Sequence, residues 1–307
     1  VSNYSPTNNT SADQALILMS SSAEGTAGNQ TIENIAFLGN NYQAASAIYV
    51  RGRSGVKVKN CTAHDFNSSF VTFNGRANET DGAATTKATG NGVYNCASAG
   101  CCTWIGAKPG GYASGIVQWG SQIGFELRDS VIIAKGRGST NNGYGTKYYR
   151  LGYNELTLIE NCTIRKDVDD GTSSNFGFAI ETWNDNALTI RGCTLEGWPD
   201  INGATKGAYT FGVKFENNIC GTGTTPTLAG TSAVCGVELE CGSNSGGVPC
   251  SDVFITGNVF RAVVFGVYIY QKSGTGTQKF TNVVIANNVF IDTRVNETIT
   301  ADAEGGT

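Results

Sequence analysis

Along this chain, short stretches alternate apolar and polar residues with period two, break at a Gly or Asn, and then resume. The recurring phrase is a short alternating strand, a Gly or Asn, a Cys or Asn, and a second short strand. It reads VKVKNCTAHDF at 56–66, LTLIENCTIRK at 156–166, LTIRGCTLEGW at 188–198, VFITGNVFRAV at 253–263 and VVIANNVFIDT at 283–293. Self-similarity at a period of roughly 20 to 40 residues marks a solenoid, whose repeats bury their apolar faces only against their neighbours. Aligned on the residue after the Gly or Asn, the coils give Asn40, Cys61, Cys96, Ser130, Cys162, Cys193, Asn218, Asn258 and Asn288. The pattern predicts nine coils in one domain, with an irregular segment at 1–28, coils over 29–293 and a tail at 294–307.

Composition agrees with that reading. Glycine accounts for 41 of the 307 residues, charged residues for only 15%, and no long amphipathic helix can be drawn. Many short strands joined by tight turns have this composition. A net charge of -4 and a pI near 5.1 provide no basic field, so nucleic acid is not an expected partner. No apolar run is long enough for a membrane span, so membrane insertion is not expected, and VSNYSPTNNT is not a signal peptide.

Ten cysteines stand against a single histidine, His64, which makes zinc and haem sites poor readings. Cys61, Cys96, Cys162 and Cys193 share the aligned turn position, so they are expected to stack as interior thiols along the axis. Cys101, Cys102, Cys220, Cys235, Cys241 and Cys250 fall in Gly- and Ser-rich segments and read as staples, with Cys241–Cys250 and Cys220–Cys235 closing compact loops. Oxidised staples, and nine Asn-x-Ser/Thr sites including Asn29, Asn78 and Asn296, would suit a secreted, extracellular or periplasmic glycoprotein. His64, just past a ladder turn, reads as an outer turn residue.

The repeated strand, Asn/Cys turn and strand, the unequal loops and the polar ladder resemble the pectate-lyase-like superfamily across roughly residues 29–293. The resemblance implies an all-β, right-handed, single-stranded parallel β-helix with three strands per coil. It also implies a groove along one outer sheet in which an extended polysaccharide lies. It does not choose the reaction, because the superfamily holds lyases, hydrolases, epimerases, tailspikes and adhesins.

Taking Ile48, Ile116, Ile180, Val237 and Val267 as inward, period two sends Trp119, Glu181, Trp183, Glu238, Glu240, Tyr268 and Tyr270 to one outer face. The same spacing places Arg150 beside Glu181 and Lys206 on the next coil. Aromatic platforms among carboxylates and cations suit sugar rings. With coils ~4.8 Å apart, Glu181 and Glu238 would stand ~9 to 10 Å apart across the Lys206 coil, near the roughly 6.5 to 9.5 Å of an inverting acid/base pair. Glu238 and Glu240, two apart on one strand, offer a second pairing at ~6.5 to 7 Å.

Asp169 and Asp170 in RKDVDDG are similar to the Asp pair that inverting β-helix hydrolases such as polygalacturonases carry before this strand. That family's Asn-Thr-Asp-Gly and Gly-His-Gly segments are missing here. The Asp pair also suits calcium, although no cofactor is required for hydrolysis. The leading expectation is therefore a secreted glycoside hydrolase. A lyase or uronate epimerase on an anionic glycan is second, the Glu pair of GVELE being similar to that of chondroitinase-type lyases. A non-enzymatic adhesin, spike or end-to-end stacked filament subunit is third, since solenoid ends expose unpaired backbone.

Overall fold

A computed structural model describes residues 15–39, 46–66, 68–75, 86–101, 115–134, 144–148, 153–166, 179–197, 199–203, 210–221, 235–241, 250–271, 280–293 and 295–300. The strands stack in parallel into a β-helix with three long sheets. The first has ten strands, from Ala15–Ser20 to Val295–Thr300. The second has nine, from Thr31–Glu33 to Thr281–Ala286, and the third nine, from Ala36–Leu38 to Val289–Ile291. Three principal strands per coil are as expected. Short pieces such as Gln122–Ile123 and Asp185–Asn186 form a fourth, four-stranded corner between the first and second sheets.

The coil region is longer than the phrase alone suggests. Ala15–Ser20 pairs with Ser46–Arg51, so coil structure begins upstream of residue 29, and Val295–Thr300 adds a tenth rung inside the expected tail.

The Gly or Asn of the repeated phrase is a left-handed bend. Asn60 (φ 51°), Asp129 (φ 52°), Gly192 (φ 63°) and Gly257 (φ 69°) all occupy this conformation at equivalent turns. It costs most side chains roughly 1 to 2 kcal/mol per residue, and least for Gly, Asn and Asp.

The next residue supplies the polar ladder. The Cys61 N–H points at Cys96 Sγ (3.4 Å), the Cys96 N–H donates to Ser130 Oγ (3.1 Å), and the Cys193 N–H donates to Asn218 Oδ1 (2.9 Å). The amides continue it: the Asn218 N–H donates to Asn258 Oδ1 and the Asn258 N–H to Asn288 Oδ1, each at 2.9 Å. The four ladder cysteines are buried free thiols, as expected. Each donates to the carbonyl two residues earlier, for instance Cys162 Sγ to Glu160 O at 3.2 Å.

Two expectations need correction here. In the first coil Ala36 pairs with Thr62, whose N–H donates to the Ile35 carbonyl at 3.0 Å, so the ladder position is Ile35. Asn40 lies outside the described residues. Cys220 is not a staple to Cys235, because it is a free thiol buried on the inner face of the third sheet between Leu195 and Phe260, where burial pushes its pKa up. Cys250 Sγ lies 3.7 Å from the Glu240 carbonyl, and the Cys241 side chain lies outside the described residues.

The interior is built from unbroken files of apolar residues. In the second sheet Val58, Val93, Leu127, Ile159, Ile190 and Phe215 follow one another rung by rung. In the third, Phe260 and Phe290 stack with centroids 5.4 Å apart. The outer faces differ sharply. The second sheet carries a charged file in which Glu160 bridges Arg128 (3.0 Å) and Arg191 (2.6 Å). The third carries Ala36, Thr62, Ala97, Val131, Thr163, Thr194, Ile219, Val259 and Val289 in continuous register, without a charge and with none buried.

The ladder predicts unequal costs along its length. Asn258→Ala would strand the Asn218 N–H and the Phe215 carbonyl together, while Asn288 keeps the residue 258 N–H, and should cost about 3 kcal/mol. Cys96→Ser recreates the chemistry already present at Ser130 and should cost about 1 kcal/mol or less. Denaturant midpoints check both, and equal losses would contradict a ladder role for Asn258.

Candidate functional site

The first sheet carries the strands of Glu181, Trp183, Glu238, Glu240, Tyr268 and Tyr270, residues that the sequence marks for chemistry. Its strand pairings define one outer file that runs Tyr49, Thr72, Gln118, Lys147, Glu181, Asp200, Glu238 and Tyr268. The interleaved inner residues, among them Val50, Phe73, Ile201, Leu239 and Ile269, belong to the apolar core.

Three acidic residues therefore occupy consecutive rungs, Glu181, Asp200 and Glu238. With strands about 4.8 Å apart, Glu181 and Glu238 are two rungs or roughly 9.6 Å apart at the backbone, as the expected spacing requires. The intervening strand is Pro199–Gly203, however, and it carries Asp200 in place of Lys206. Likewise the cation in register with Glu181 is Lys147. Arg150, Lys206, Asp169 and Asp170 lie outside the described residues.

Local sequence hides the strand that carries Asp200. Pro199 argues against a central strand, since proline cannot donate to a ladder, yet proline is tolerated at a strand's first residue, and Pro199 is that residue. The signal that could have found it is the alternation Asp200, Ile201, Asn202 with Ile201 buried.

A second outer file holds Trp183, Asn202, Glu240 and Tyr270 in successive rungs. The side chains of Lys147, Trp183, Asp200, Asn202 and Tyr270 lie outside the described residues. Burial varies across the two files. Glu181 is 8% exposed and Glu240 3%, whereas Glu238 and Tyr268 are half-buried. Towards the N-terminal rungs the face is covered and polar: Thr72 Oγ1 donates to Gln118 Oε1 (3.0 Å) and Asn74 Nδ2 to the buried Tyr49 hydroxyl (2.8 Å). Tyr268 stacks on Phe265 with centroids 5.1 Å apart.

Trp119 is not on this face. Val117 pairs with Val71 and Trp119 with Phe73, so the inward phase of this strand is one residue later than Ile116 suggests, and a one-residue slip exchanges the two faces. Trp119 is 0% exposed, stacked on Phe125 at 5.3 Å and 4°. Its indole Nε1 instead donates to Asp185 Oδ2 at 3.2 Å.

Asp185 is the second notable group, because it follows the Glu181 strand directly and is wholly buried in the corner. It also accepts hydrogen bonds from Thr157 Oγ1 (2.7 Å) and Asn154 Nδ2 (3.4 Å). Behind it the corner polar chain continues through Gln122, whose N–H donates to Asn154 Oδ1, to Asn91, whose Nδ2 donates to Gln122 Oε1. Burial raises the Asp185 pKa to about 6, against the pull of these donors and of Lys87.

Among the described residues no group of three or more His, Cys, Asp or Glu side chains is placed to hold a metal ion. Among the same residues no helix is long and apolar enough to cross a membrane.

No protein-family model matches the chain, and no curated protein matches it in sequence. Among solved structures it is similar to PfbA, a surface adhesin of Streptococcus pneumoniae, at 10% identity and TM-score 0.47, covering 91% of this chain and 75% of that one. It is also similar to QnrB1, a plasmid-mediated fluoroquinolone resistance protein, at 8% identity and TM-score 0.34, covering 84% and 94% of the two chains. The Dettilon tailspike protein gives 10% identity and TM-score 0.31, covering 85% of this chain and 61% of its own. At such identities and scores these likenesses assign no chemistry.

Asp185 makes stability depend on pH. A carboxyl whose folded pKa lies above its ordinary 3.8 holds its proton more tightly when folded, so stability falls as pH rises from about 4 to about 6 and is flat above. The fall should be about 3 kcal/mol, and Asp185→Asn should remove it. Urea midpoints of both proteins between these pH values check this, and parallel profiles would refute it.

Proposed function

We propose that this chain acts outside the cell, binding an extended glycan along the outer face of the ten-stranded sheet and cleaving it as a glycoside hydrolase. The observation that carries the reading is the run of acidic residues on consecutive rungs, Glu181, Asp200 and Glu238, beside the half-buried Tyr268. Hydrolysis needs one carboxyl to protonate the leaving oxygen and another to activate water or attack the sugar. Glu181 and Glu238, two rungs apart on one file, suit those two roles. Glu181 with Glu238 is the pair for inversion, and the ring of Tyr268 is the platform for an adjacent sugar.

The charge of the file bears on the substrate. Among the described residues of this file the register gives three acidic positions to one cationic, Lys147, so a polyuronate is the less favoured substrate. The glycan is therefore neutral or amine-bearing, and elimination from an anionic glycan becomes the weaker reading. One observation favours binding without cleavage, as in an adhesin or spike: Glu181 and Glu240 are buried.

The test is product chemistry on a panel of neutral, amine-bearing and anionic polysaccharides. Hydrolysis gives new reducing ends without ultraviolet-absorbing unsaturation, and we expect inverted anomers. Glu181→Gln and Glu238→Gln should each lower kcat at least about 100-fold. Unsaturated products would establish a lyase, and glycan binding without any cleavage would establish the adhesin. Full activity in both variants would remove the carboxylate mechanism.

A further inference from the structure

We infer that the outer face of the third sheet is a self-association surface on which a second copy of this chain docks face to face. Of the eleven large hydrophobic residues exposed among the described ones, five lie on this sheet: Leu38, Val131, Ile219, Val289 and Ile291. They flank or belong to the nine-rung file that contains no charged residue. By contrast, the second sheet's outer file satisfies itself through the Arg128–Glu160–Arg191 ion pairs and needs no partner.

The file is graded in size along the axis. Its N-terminal rungs carry Ala36, Thr62 and Ala97, and its C-terminal rungs carry Ile219, Val259 and Val289. Such a gradient is complementary to itself only when reversed. A second copy turned end for end about Thr163 sets Ala97 opposite Ile219 and Ala36 opposite Val289, so that each alanine meets a larger residue, while Thr62 meets Val259, Val131 meets Thr194 and Thr163 meets itself. This is the self-matching patch that a closed two-fold dimer requires. Sheets packed in this way lie about 10 Å apart with interdigitating side chains.

The second outer file of the same sheet is compatible with that arrangement. Leu38 comes opposite Ile291, Arg165 comes opposite its own copy with Glu196 of both chains one rung away, and His64 and Arg261 meet at the rim, all three cationic-type side chains being exposed. Long side chains there can keep their charges in water.

The dimensions predict a weak interface. Nine rungs at about 4.8 Å and three residues at about 3.3 Å give a face of roughly 40 by 10 Å, or about 400 Å² per copy. Side-chain relief brings the pair to roughly 1,000 Å², the lower limit for a specific contact. A micromolar or weaker dimer follows, independent of the glycan face on the first sheet.

Sedimentation velocity across about 1 µM to 1 mM tests this. The mass should climb from 32.2 kDa towards twice that value and stop there. The double variant Thr194→Lys and Ile219→Lys, at two exposed positions, should stay monomeric with an unchanged circular dichroism spectrum and urea midpoint. A wild-type chain that remains monomeric throughout would overturn the inference. So would a double variant that dimerises as well as wild type, or growth past two copies, which marks end-to-end stacking.

Discussion

Everything in this molecule depends on satisfying backbone N–H groups at the interior corners of the coil. Each chain turn passes from the second to the third sheet through a left-handed residue, and the next N–H enters an apolar core where no water can reach it. An unpaired donor there costs roughly 1 to 3 kcal/mol, and the deficit recurs on every coil. The ladder meets it with whatever side chain fits: a thiol at Cys96, a hydroxyl at Ser130, amides from Asn218 onward. The opposite corner uses the same solution with Asn91, Gln122, Asn154 and Asp185.

Fixing the corners fixes the rungs, and fixed rungs convert sequence alternation into files of side chains at constant spacing. Three outer faces then acquire different characters from one scaffold. The second sheet is a solvated charge ladder, the third a graded apolar strip, and the first a buried polar stretch that passes into carboxylates. The corner carboxylate Asp185 sits where the covered polar stretch and the acidic rungs meet, held by the indole of Trp119.

The legible parts of the site were those with strong local pattern. Glu181, Glu238 and Glu240 alternate with Ile180, Val237 and Leu239, so their outward placement follows from period two. Trp119 was misplaced because GIVQW is apolar at both phases, and only its pairing with Phe73 decides which face is inward. Asp200 is hidden by the proline that opens its strand, and the regular spacing points to Lys206 instead. Cys220 looks like a loop cysteine because Gly221 and Thr222 follow it, yet its pairing between Leu195 and Phe260 puts it in the core.

What the sequence determined by itself was the solenoid, the position of its bends and the identity of the ladder from Cys61 onward. Those features arise from local chemistry, namely the tolerance of Gly and Asn for positive φ and the demand for a polar group one residue later. What only the tertiary structure decided was which residues stand side by side on neighbouring coils. Loop lengths vary from coil to coil, so adjacency along the axis cannot be counted along the chain. It is set by parallel hydrogen bonding between rungs, which brings Asp200 between Glu181 and Glu238 and grades the third sheet from alanine to isoleucine and valine.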